Sequence, residues 1–90
     1  MSHEYGVTLT RRNGPQAGES LSFDVTNHDD LFVIVDRIKA KGLVDESESA
    51  ELAIALKLFG EVLLRHRKAE PFASLAPHFG EFMKKIKGRG

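Results

Sequence analysis

The chain is 90 residues long, with 13 basic and 13 acidic side chains, four histidines, and neither cysteine nor tryptophan. That length predicts one small domain, residues 1–90, which spends most of its apolar side chains on its own core and keeps little for a deep cleft. Lack of cysteine excludes disulfides, thiolate metal sites and a cysteine nucleophile, and a formal charge of zero lacks the basic excess that marks nucleic-acid and membrane-surface proteins.

Residues 5–11 alternate, with Tyr5, Val7 and Leu9 on one side and Gly6, Thr8 and Thr10 on the other, the period of a half-buried strand. Leu21, Phe23 and Val25 repeat the pattern against Ser20, Ser22, Asp24 and Thr26. Between the two runs, Asn13-Gly14-Pro15-Gln16-Ala17-Gly18 is loop chemistry throughout. The pattern predicts a β-hairpin over about 5–26 with one apolar face. An isolated two-stranded sheet is marginal in water, so that face is expected to be covered by the rest of the chain.

After Asn27 the period changes. Leu31, Ile34, Val35 and Ile38 share a helical face, and Gly42 stops the helix behind Lys39 and Lys41, which predicts a helix over about 28–41. Asp45 and Glu48 have the form of a capping box opening the longest helical pattern, about 45–67. Its expected core stripe is Leu52, Ala55, Leu56, Phe59, Val62 and Leu63. Ile54 and Leu58 lie off that stripe and imply a second contact face. Pro71 suits a first helical position, and Pro77 is expected to interrupt the last helix, about 71–87. Phe72, Leu75, Phe79, Phe82, Met83 and Ile86 keep helical spacing across that point. The predicted fold is α+β, a hairpin packed on three helices in the order ββααα, the last helix bent at a proline.

The most conspicuous polar cluster is Asn27-His28-Asp29-Asp30, in which His28, Asp29 and Asp30 are candidate metal ligands. Adjacent residues at a helix start diverge by about 100°, so convergence on one ion needs help from elsewhere. A capping role for Asn27, with both aspartates at the positive end of the dipole, needs none. His66 sits among Arg65, Arg67 and Lys68, whose charges repel a metal ion, and His78 follows Pro77 as a solvated or capping residue. No G-x-S-x-G element, phosphate-cradling glycine loop or cofactor motif is present, so neither a catalytic residue nor a cofactor is expected. The basic ending Lys84-Lys85-Ile86-Lys87-Gly88-Arg89-Gly90 is a candidate phosphate-contacting tail, without aromatics for base stacking.

Three stretches taken together resemble a family of small bacterial proteins classed only as a domain of unknown function. They are Asn27 to Asp30, Leu56-Lys57-Leu58-Phe59-Gly60-Glu61-Val62, and Phe79-Gly80-Glu81-Phe82-Met83-Lys84. The resemblance implies a small bacterial protein and carries over no catalytic or binding residue.

The sequence therefore favours a non-enzymatic protein-interaction module of a bacterial cytoplasm. The alternative is a small metal-dependent or nucleic-acid-binding protein that uses the Asn27 to Asp30 cluster or the basic tail. Met1 to Tyr5 resemble no secretory signal, and no apolar run approaches the roughly 18 residues of a membrane span, so no membrane association is expected. Open strand edges, together with Phe32, Val33, Ile54 and Leu58 as off-stripe apolar residues, predict self-association as a homodimer beside an unidentified protein partner.

Overall fold

A computed structural model describes residues 2–88 and gives the order two strands, then three helices. The chain divides into two units, one reaching to Asp30 and one starting at Leu31.

In the first unit, β1 (His3–Thr10) pairs antiparallel with β2 (Ser20–Asn27). The register sets Tyr5 opposite Val25, Val7 opposite Phe23 and Leu9 opposite Leu21, so the two alternating patterns merge into one apolar face. On the other face Thr8 Oγ1 and Ser22 Oγ share a hydrogen bond of 2.9 Å. The connecting loop is closed by backbone bonds from the Arg11 amide to the Glu19 carbonyl and from the Gly18 amide to the Arg11 carbonyl, at 2.8 and 2.7 Å. Arg11 Nε also meets Glu19 Oε1 at 3.0 Å. Gly18 holds a φ of 98°, open to glycine at no steric cost, which explains its place at the turn back into β2.

The apolar face is unevenly exposed. Tyr5, Val7 and Val25 are half-buried, whereas Leu9, Leu21 and Phe23 keep 66, 58 and 43% of their surface in solvent. The sequence supplies two amphipathic strands but no third strand to extend the sheet, and the apolar residues nearest the hairpin loop stay open.

In the second unit, α1 (Leu31–Lys41), α2 (Ser49–Arg65) and α3 (Phe72–Gly88) assemble around Ile38, Ala53 and Ile86, one residue from each helix. Ile34, Val35, Leu43, Leu52, Leu56 and Met83 pack against this centre. The middle of the α2 stripe is thus Ala53, 1% exposed, with fully buried Ser49 one turn before it. Ala55, Phe59 and Val62, expected in the core, are exposed instead. Apolar residues occur almost all round α2, so periodicity alone leaves the buried arc ambiguous, and small Ala53 lies at the arc that the neighbouring helices close upon. On α3, Leu75 and Phe82 are likewise exposed rather than buried.

The helix starts also differ. Asn27 ends β2, and α1 begins only at Leu31. Asp45 makes no side-chain capping bond; the Glu48 amide donates to the Asp45 carbonyl at 2.8 Å, forming a short 3-10 turn, Glu46–Glu48, ahead of α2. The predicted capping box is therefore absent, and its backbone turn satisfies the Glu48 amide without a side chain. Pro77 does not interrupt α3, which is helical on both sides of it. Proline removes a single bond, to the carbonyl four residues back, while Phe79, Met83 and Ile86 beyond it retain their helical spacing and packing. Gly42, at φ 66°, ends α1 as expected, its amide donating to the Lys39 carbonyl at 3.3 Å. Lys41 Nζ then donates to the Lys87 carbonyl at 3.2 Å, setting a cation on the negative end of α3.

Candidate interaction surfaces

The polar cluster after β2 is organised around its backbone. Asn27 is completely buried, and its Oδ1 accepts from the Asp29 amide at 3.0 Å, an Asx turn two residues on. Tyr5 donates its hydroxyl to the Asp29 carbonyl at 3.1 Å, so both main-chain groups of Asp29 are held from within the hairpin unit. Asn27 therefore fixes the exit from β2 and does not cap α1, which starts four residues later. Of the candidate metal ligands, His28 Nε2 lies 3.6 Å from Asp29 Oδ2 with its ring exposed, and Asp30 is exposed just before α1. Among the described residues no group of three histidine, cysteine or carboxylate side chains is placed to hold a metal ion. Consecutive positions at a chain turn point apart, and among the described residues no other segment contributes a further ligand.

The other histidines are separate from this cluster. His66 closes the C-terminus of α2, its amide shared between the Val62 and Leu63 carbonyls, and its ring tilts against Phe72 with centroids 5.4 Å apart. His78 is exposed within α3. His3 stacks on Tyr5 at 6.3 Å, giving the terminal histidine an ordered place. Of the basic tail, Lys84, Lys85 and Lys87 lie on α3, while Arg89 and Gly90 fall outside the described residues.

The repeated Phe-Gly-Glu stretches have unequal surroundings. Phe59 on α2 meets Phe79 on α3 edge to face at 5.5 Å. A β-carbon on Gly60 would stand 3.3 Å from the Phe79 ring, so glycine here permits a close approach between α2 and α3. One on Gly80 would meet nothing within 4 Å.

Several of the surfaces open to solvent are apolar or strongly charged. The first such surface is the hairpin face of Leu9, Leu21 and Phe23. Phe32, 76% exposed, and Val33 are open on α1 as predicted, whereas Ile54 and Leu58 are half-buried. The exposed apolar residues of α2 are instead Ala50, Ala55, Phe59, Val62 and Leu64. Beyond Leu64, the turn after α2 forms an open depression of about 630 Å³ lined by Arg65, His66, Arg67, Lys68 and Ala69. Arg65 Nε reaches the Glu61 carbonyl at 3.4 Å, and among the described residues neither Arg67 nor Lys68 has a carboxylate within ion-pair distance. Sequence reasoning missed the open hairpin end. The clue was present in the count of strands, because two strands expose a whole face unless something else reaches the far end.

Residues 3–88, from the start of β1 to the end of α3, match the model of the DUF3861 family, described as a domain of unknown function with a solved structure. The chain belongs to that family. It is also similar to the crystal structure of a protein of unknown function from Pectobacterium atrosepticum, with a TM-score of 0.87 and 31% identity over 97% of this chain and 98% of the other. No curated protein matches it. No helix among the described residues is long and apolar enough to cross a membrane.

Proposed function

We propose that the chain is a non-enzymatic protein-interaction module of the bacterial cytoplasm, and that its hairpin is the surface offered to a protein partner. The observation that carries this reading is the exposure of Leu9, Leu21 and Phe23 side by side on one face of a two-stranded sheet. Single exposed apolar residues are ordinary, but a contiguous row on a regular element is the form taken by binding faces. Both β1 and β2 have a free edge in the sheet, so a partner strand can add main-chain hydrogen bonds while its side chains cover the row. The polar clusters support the same reading, since Asn27 and Asp29 are engaged in holding the chain's turn out of β2.

The test is a photo-crosslinking amino acid placed at Phe23 in the source bacterium. A discrete adduct is expected, one that Leu21→Glu removes. Absence of any adduct contradicts the reading. Calorimetric titration with zinc, manganese and nickel tests the metal-dependent alternative. Tight stoichiometric binding abolished by His28→Ala would replace the present reading with that one.

A further inference from the structure

A different surface, with a different occupant, emerges from the distribution of charge along α2. The segment leading into the helix and its first turn carry Asp45, Glu46, Glu48 and Glu51, all exposed. The far end carries Arg65, Arg67 and Lys68, also exposed. Among the described residues, neither those four acids nor Arg67 and Lys68 form an ion pair within the chain. Between the two ends runs an exposed stripe at helical spacing, Glu51, Ala55, Phe59 and Val62, with half-buried Leu58 at its border. The element is therefore acidic at one end, apolar in the middle and basic at the other, over the about 25 Å of a 17-residue helix.

We infer that two copies of this chain associate about a twofold axis through antiparallel α2 helices. A parallel pair would set acids on acids and cations on cations. The antiparallel pair sets each acidic end on the other copy's basic turn, and symmetry makes the match twice. With Leu58 and Phe59 beside the axis, Ala55 of one copy falls opposite Val62 of the other and Glu51 falls opposite His66. Glu46 and Glu48 then face the depression rimmed by Arg67 and Lys68. Small Ala55 permits the close approach, and the opposed helix dipoles add to the attraction. The apolar face that self-associates is thus Ala55, Phe59 and Val62, not the half-buried Ile54.

The experiment uses the full chain and its lack of cysteine. Sedimentation equilibrium at low salt should show a monomer–dimer equilibrium whose dissociation constant rises at least about tenfold at high salt, where exposed charges are screened. Reversal of the basic end, Arg67→Glu with Lys68→Glu, should weaken the dimer by about the same factor, while Leu21→Ser with Phe23→Ser leaves it intact. That last comparison separates this inference from the hairpin reading. Orientation is read by oxidation. Ala55→Cys and Val62→Cys variants should crosslink to one another when mixed and fail to crosslink alone. A monomeric mass at every concentration, self-crosslinking of the Ala55→Cys variant, or a dimer indifferent to the Arg67 and Lys68 reversals would each overturn the inference.

Discussion

The hairpin unit and the helical unit treat the same kind of residue in opposite ways. Around Ile38, Ala53 and Ile86, three helices bring apolar side chains into a shared centre, and half-buried neighbours pack against it. Among the described residues of the unit that ends at Asp30, the only buried one is polar Asn27, and half of the apolar row on the sheet stays in solvent. Periodic apolar patterns mark the elements of both units, although α2 is apolar almost all round. The difference lies in how many elements are available to close around each apolar face: three helices suffice to enclose a centre, and two strands do not. Stability is therefore expected to concentrate in the helices and recognition on the hairpin.

That contrast breaks most visibly under truncation of matched residues. Ile38→Ala should cost about 2–5 kcal/mol in urea denaturation, because it deletes buried volume that its neighbours cannot refill. Leu21→Ala, removing a similar side chain from the open face, should stay within about 0.5 kcal/mol. Equal losses would erase the distinction between the units. Next in size is Asn27→Ala, which strips the Asp29 amide of its acceptor at a buried position and should cost about 1–3 kcal/mol. A neutral result would show that the exit from β2 is held without that side chain. The smallest effect sharpens the helical half alone. Gly80→Ala should raise stability by up to about 1 kcal/mol, since alanine is the better helix former and the site is open. Gly60→Ala should gain less or lose, because its new methyl presses on Phe79. Thermal melts of the two variants side by side decide the point.

The order ββααα was legible because each element declares its period: two for Tyr5, Val7 and Leu9, and 3.6 for Leu31, Ile34, Val35 and Ile38. Turn chemistry was legible too, as Gly18 and Gly42 occupy the positive-φ positions that loops and helix ends need. What escaped was tertiary. Nothing in the periodicity of α2 distinguishes an arc centred on Ala53 from one centred on larger residues, since the choice depends on where neighbouring helices approach. Asp45 and Glu48 satisfied a capping pattern that a backbone turn made unnecessary. Of the residues singled out for interaction, Phe32 and Val33 are exposed, and Ile54 and Leu58 are half-buried. The row at Leu9, Leu21 and Phe23 was visible as an apolar face, but alternation does not encode which of its residues stay exposed.

We propose that this row is kept for a partner and not for folding. One variant carrying Leu9→Ser, Leu21→Ser and Phe23→Ser tests both halves when its urea unfolding and its in-cell crosslinking from Val7, which pairs with Phe23 on the same face, are measured together. Unfolding free energy within about 1 kcal/mol of the parent chain, with the crosslinked adduct gone, is the predicted result. Collapse of the fold, or an adduct that survives the loss of all three side chains, would contradict it.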